Sequence, residues 1–235
     1  MPRLLWDQDG SKTYETGVNQ GVLYVKDAES HVGTAGYAKG VAWNGLTTVN
    51  ETPTGGEAND LYADNQKYLS LMSAEDFGGS IEAYTYPDEF AECDGQKSPV
   101  PGLIIGQQER VPFAFCYKTL IGDDAKGTDL GYKLKVIYNA KATPSERAFT
   151  TVNDNPEAIQ FSWDLTTTPV SIKEPGFKPT SFFVIDSRTC PAAALKEIED
   201  SLYGQDAGGE EMAEDKEPTL LTPDEIIAII KKHQA

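Results

Sequence analysis

The sequence predicts a mainly β protein: two packed β-sheets in a sandwich or barrel-like arrangement, flanked by one short helix and extended at the C-terminus by further helix. Three observations carry this expectation. Apolar residues recur at every second position in several short runs, the runs are separated by clusters of Gly, Pro, Asn and Asp, and from residue 191 onward the pattern gives way to helix signals. With 235 residues, 39% hydrophobic and 10% aromatic, the chain is able to bury a sizeable core and is not composed like a disordered one.

The β-favouring runs occupy residues 16–186. Phe113, Phe115 and Tyr117 sit two apart, as do Leu134, Val136 and Tyr138 with Lys133 and Lys135 beside them, and side chains two apart share one face of a sheet. The cleanest alternation is Gln160-Phe161-Ser162-Trp163-Asp164-Leu165-Thr166, which predicts a half-buried strand with Phe161, Trp163 and Leu165 facing the core. Residues 181–186 are more continuously apolar and predict a strand covered on both faces. Thr143-Pro144-Ser145-Glu146 and Asn153-Asp154-Asn155-Pro156 supply turn chemistry between strands.

Pro87-Asp88-Glu89-Phe90-Ala91-Glu92-Cys93 predicts a short helix, since proline suits a first helical turn and acids suit its positive end. Residues 50–60 have almost no apolar content and predict a long exposed loop, with Thr52, Pro53, Thr54, Gly55 and Gly56 as its candidate contact residues. The organisation expected is a β domain over residues 1–190, a helix over 191–203, an acidic flexible linker over 204–221 and an amphipathic helix over 222–235. In that last helix Thr222 is the N-cap and Pro223 the first residue, with acids next and Lys231 and Lys232 in the final turn. Ile226, Ile227, Ile229 and Ile230 need a docking partner, on the same chain or a neighbour, because a lone helix of this length is marginal in water.

Against 37 acidic residues stand 20 basic ones, a net charge of −17. Such a chain repels phosphates, which excludes a direct grip on nucleic acid or an anionic membrane. Cys93, Cys116 and Cys190 are odd in number and widely separated, which predicts free thiols in a reducing compartment. No apolar run reaches the length of a membrane span, and the first residues lack the apolar stretch of a secretion signal.

Catalytic and metal signatures are weak. His31 and His233 have no ligand partners at metal-binding spacing, and Asp7-Gln8-Asp9-Gly10 has its glycine too early for a calcium loop, so a turn is expected there. The acyl-transfer, P-loop and dinucleotide motifs do not occur. Asp88 with Glu92, or Glu82 beside Tyr84 and Tyr86, have the composition of a glycosidase site, but with 37 acids chance pairs are expected. The tyrosines read first as core or interface anchors. No catalytic, cofactor-binding or metal-binding residue is expected, nor enzymatic activity.

Specific strings go further. Tyr14-Glu15-Thr16-Gly17-Val18, Gly21-Val22-Leu23-Tyr24, Gly40-Val41-Ala42-Trp43-Asn44-Gly45-Leu46, Leu61-Tyr62-Ala63-Asp64-Asn65, Ile81-Glu82-Ala83-Tyr84-Thr85-Tyr86-Pro87-Asp88-Glu89-Phe90, Gly131-Tyr132-Lys133-Leu134 and Pro144-Ser145-Glu146 follow one another in order. Together they resemble the major tail tube proteins of siphophages, the long-tailed bacteriophages, that infect Gram-positive bacteria. The resemblance runs over about residues 3–203 and leaves the acidic linker and isoleucine-rich end outside it.

The resemblance implies two packed sheets flanked by a helix. Six copies close into a ring whose inner strands form one barrel, and rings stack into a tube that conducts the genome into the host. The partners implied are the chain itself, the tape measure, initiator and terminator proteins of the tail, and DNA passing through the lumen without specific binding. The places implied are the virion tail and, before assembly, the host cytoplasm. A ring would carry about −100 charges, and acids lining the bore would keep DNA from adhering. Residues 50–60 and the C-terminal segment are expected to lack order in a lone subunit, the terminal helix controlling when rings stack. Two other classes are carried alongside: a virion receptor- or carbohydrate-binding β-sandwich, and a peptidoglycan hydrolase using paired acids.

Overall fold

The computed structural model describes residues 4–27, 33, 35–151, 158–206 and 215–234; His31, the turn string at 153–156 and the acidic stretch 207–214 lie outside them. Strand β1 (Tyr14–Val25) opens the fold, and β2 (Val41–Trp43) pairs with it antiparallel. β3 (Leu46–Glu51), β4 (Thr54–Gly55) and β5 (Ala58–Ala63) run outward as one interrupted line. β6 (Gln66–Met72), β7 (Glu75–Asp76) and β8 (Gly78–Ala83) return along it. Helix α1 (Phe90–Cys93) leads to a ribbon of β9 (Lys97–Val100) and β10 (Leu103–Ile105). β11 (Phe113–Asp123) and β12 (Gly127–Ala142) form the longest hairpin, followed by β13 (Phe161–Thr167), β14 (Phe182–Asp186), α2 (Ala192–Tyr203) and α3 (Pro223–Lys232).

The fold is mainly β, as the alternation predicts. One large antiparallel sheet runs β2-β1-β11-β12-β13-β8-β3, with β14 also on β12, and its two halves supply the two packed layers. β12 makes the bend between them. It pairs with β14 through Lys133–Ile137 and with β13 through Ala140–Ala142. Between those ladders Asn139 takes a left-handed backbone conformation, φ 47°, which asparagine tolerates better than most residues. The bulge reverses the alternation: Leu134, Val136 and Tyr138 join one core cluster, Ala140 and Ala142 the other. Lys26 Nζ at 2.9 Å and Tyr37 OH at 2.8 Å both donate to the Asn139 side-chain oxygen and hold the bulge.

The inner cluster lies between the halves. Phe113, Phe115 and Tyr117 of β11 meet Trp43, Ile81, Phe90 and Trp163, with the Trp43 ring 5.4 Å from Phe115 and 5.6 Å from Trp163. Trp163 and Leu165 are buried as their alternation requires. The outer cluster sits on the opposite face of β1, β11 and β12, where α2 contributes Ala194, Leu195, Ile198 and Leu202. α3 covers the rest: Ile226 is buried, and Ile229 and Ile230 pack against the cluster. The partner that the isoleucines require is therefore on the same chain. The α3 start has the predicted cap, with Thr222 Oγ1 accepting from Glu225 N and the Glu225 carboxylate accepting from Thr222 N at 2.7 Å.

Five expectations need correction. Residues 50–60 are exposed but paired, forming the end of β3, β4 and the start of β5; polar composition reported the exposure, while the pairing is a backbone property that composition does not show. The terminal segment is a docked helix rather than a segment without order. The span 204–221 is fastened at its described ends: Gln205 bridges Lys216, Pro218 O accepts from Gly40 N at 2.8 Å, and Leu220 is buried. β14 is covered fully on one face only, since Ile185 is buried while Val184 is 45% exposed. Helix α1 begins at Phe90 rather than at Pro87, because residues 87–90 first make a turn closed by Phe90 N donating to Pro87 O.

Candidate assembly surface

Beyond Glu51 the chain leaves the body as a two-stranded arm and returns at Phe77. Thr54 pairs with Asp76 and Gly55 with Glu75, and a second ladder runs from Ala58 opposite Met72 to Ala63 opposite Gln66. The tip is Asp64-Asn65, both left-handed at φ 50° and 62°, the geometry of a two-residue hairpin turn. The string Leu61-Tyr62-Ala63-Asp64-Asn65-Gln66-Lys67-Tyr68-Leu69 thus carries a legible hairpin signal, apolar runs about an Asp-Asn pair, that a reading for loops passes over. Pro53, which has no N–H to donate, and the left-handed Gly55 and Gly56 interrupt the ladder near the body. The predicted contact residues Thr52, Pro53, Thr54, Gly55 and Gly56 therefore occupy the proximal arm, and Ile226, Ile227, Ile229 and Ile230 lie on the remote helix α3.

The distal ladder has two unlike faces. Leu61 lies opposite Leu69, and Asn59 opposite Leu71, which puts three leucines on one face, each between 42% and 49% exposed. The other face carries Asp60, which accepts from Ser70 Oγ at 2.6 Å and pairs with Lys67 at 2.6 Å. Tyr62, Tyr68 and Met72 are still more exposed, at 68% to 74%. Neither outer edge of β5 or β6 pairs with another described strand.

The arm root is held at one point on each strand. On the outgoing strand the Glu51 carboxylate accepts from Tyr117 OH at 2.7 Å and from Lys135 Nζ at 2.8 Å. Lys135 also reaches Glu15 at 2.9 Å, and Glu15 accepts from Lys133 at 2.5 Å and Thr119 at 2.6 Å. Burial raises the Glu15 carboxyl, but the bonds from Lys133, Thr119 and Lys135 outweigh it and hold the group at about 2. Burial, together with the bond to Glu51, pushes the Tyr117 hydroxyl well above its usual range, so it remains a donor. On the returning strand Phe77 stacks on Phe182 at 4.5 Å, and its carbonyl accepts from Thr167 Oγ1 at 2.6 Å. Gly79 allows β8 to lie close against β3, since a Cβ there would collide with the Asn50 carbonyl oxygen.

Two other exposed apolar segments lie outside the arm. The β9–β10 ribbon shows Val100, Leu103, Ile104 and Ile105 at 45% to 66% exposure, and Leu4, Leu5 and Trp6 are 70% to 72% exposed. Among the described residues no cluster of His, Cys, Asp or Glu is arranged to hold a metal, and no helix is long and apolar enough to cross a membrane. Cys93, Cys116 and Cys190 are free thiols. Burial pushes the first two up to about 12, which makes them poor nucleophiles. Of the carboxylates weighed for hydrolysis, Glu82 accepts from Gln160 at 2.9 Å, and its neighbour Tyr86 belongs to the core, edge-on to Phe90, Phe161 and Trp163.

The chain matches no protein-family model and no curated protein. What the surface does is therefore argued from the arm itself. A two-stranded ribbon is at best marginally stable in water, and one that also displays leucines and open backbone edges calls for a covering partner. The leucines and open strand edges on it offer packing and strand pairing.

Proposed function

We propose that the chain is the structural subunit of a bacteriophage tail tube, assembling with copies of itself into stacked hexameric rings through which the genome enters the host. The observation that carries the reading is the arm: a ribbon with open edges and an apolar face, projecting from a body whose own core is complete without it. Strand edges left open on a monomer are satisfied by closing strands between copies, and a ring of such closures leaves no edge over. The ordered strings that resemble those of siphophage tail tube proteins support the same reading from the sequence side.

The tape measure, initiator and terminator proteins are the further partners of such a tube, the virion tail its location, and the host cytoplasm the place of the unassembled chain. DNA is cargo rather than ligand. At −17 per copy a ring carries about −100 charges, and a bore sharing that sign does not retain a polyanion.

Negative-stain microscopy of concentrated protein, with and without the tail initiator, tests the proposal. Hollow tubes with a regular axial repeat are expected. Uniform small particles under both conditions, above all particles that bind host cell wall, would replace it with a receptor-binding role.

A further inference from the structure

We infer that the leucine face of the arm packs on the apolar face of the β9–β10 ribbon of a second copy, each two-stranded sheet covering the other. The inference rests on the reading that copies assemble, and it names the acceptor. Both segments are two-stranded sheets whose outer edges pair with no other described strand, and both hold large apolar side chains in water. Each is too small to be stable as a free ribbon, and packing one apolar face on the other takes both out of water.

Charge narrows the choice of partner. Copies carrying −17 each repel, so contact must run through patches where that repulsion is smallest. Residues 58–72 hold Asp60, Asp64 and Lys67, a net −1, and residues 97–108 hold only Lys97, a net +1. On the arm the Asp60–Lys67 pair sits on the face away from the leucines, so Leu61, Leu69 and Leu71 meet the acceptor without burying a charge. The acceptor offers Val100 and Leu103, cross-strand partners on one face, with Ile104 and Ile105 beyond. Arm and acceptor are different surfaces of one chain, so the contact is head-to-tail, and such contacts generate rings or filaments instead of closed dimers.

Disulfide trapping tests the pairing. In a Cys190→Ser background, which leaves only the buried Cys93 and Cys116, Leu69→Cys protein is mixed with Val100→Cys protein and oxidised at high concentration. Leu61→Cys with Leu103→Cys is run in parallel. All four positions are exposed, so circular dichroism should be unchanged. Heterodimers should exceed either homodimer about tenfold or more in at least one pairing, since docking raises the effective concentration of the two thiols. Heterodimers no more abundant than homodimers in both pairings overturn the inference. Microscopy of the Cys190→Ser protein with its leucines intact separates the two proposals: tubes there without the cross-link overturn the acceptor assignment alone, the cross-link without tubes overturns the tail tube alone, and the absence of both overturns both.

Discussion

Helix α3 and the distal arm both present apolar residues on an element too short to stand alone, yet they meet opposite fates. α3 places Ile226, Ile229 and Ile230 on the outer core cluster, beside α2. The arm leaves Leu61, Leu69 and Leu71 nearly half exposed. The difference lies in what each element does with its backbone. A helix satisfies its own hydrogen bonds and needs only a surface for its stripe, which α2 and β12 provide. A ribbon leaves two edges unpaired, and nothing described in this chain reaches them. The helix therefore completes the chain's own core, and the arm stands outside it.

Substitution of one apolar residue in each region should break the symmetry of sequence most sharply. Ile226→Ala removes a fully buried side chain and should cost about 2–5 kcal/mol in urea denaturation followed by circular dichroism. Leu69→Ala at the 44%-exposed arm position should change monomer stability by less than about 0.5 kcal/mol while abolishing tubes or cross-linked oligomers. Equal effects of the two on the monomer would mean that the arm is part of the subunit's own core.

That contrast also explains which features the sequence made legible. Trp163, Leu165, Phe113 and Phe115 advertise their faces through strict alternation, and α3 announces itself by Thr222, Pro223 and the early acids, because a helix carries its start signal locally. The bend of β12 is not legible: Asn139 is one asparagine among several, and its left-handed backbone is decided by the two strands that share β12. The arm was half legible. Polar composition correctly placed residues 50–60 at the surface, but their pairing with residues 70–80 is a non-local backbone contact, and the Asp64-Asn65 turn was its only local sign. The network at Glu51 was hidden for the same reason, since it draws Glu15, Tyr117 and Lys135 from three distant strands.

The arm root offers an intermediate case. Glu51→Ala removes the acceptor shared by Tyr117 and Lys135 and should cost about 1–2 kcal/mol locally, because the nearly buried Tyr117 hydroxyl loses its partner. Hydrogen exchange should rise over residues 46–57 and 73–80 and stay unchanged over β11. Exchange rising equally in β11 would show that Glu51 supports the whole body. At the helix, Thr222→Ala removes the capping hydroxyl and should cost about 1 kcal/mol, checked by the same denaturation.

The smallest expected effect compares two carboxylates that the fold holds below their usual range, Glu15 in the body and Asp60 on the arm. Glu15 is held at about 2 by Lys133, Thr119 and Lys135 against the opposing effect of burial, whereas Asp60 is lowered by Lys67 and Ser70 on an open ribbon. A carboxyl depressed in the folded state contributes stability that is complete above its unfolded value, near 4.3 for glutamate, and is lost as pH falls toward the folded value. The body should therefore lose stability between about pH 4.5 and 2 through Glu15, by roughly 1 kcal/mol once screening of a side chain still 30% exposed is allowed for. Glu15→Gln should flatten that part of the acid profile. Asp60→Asn should leave it unchanged, because its pair is solvated and the arm unfolds without the core. An acid profile that responds to Asp60→Asn as strongly as to Glu15→Gln would mean that the arm and the body melt as one unit, and that the open ribbon is already closed within a single chain.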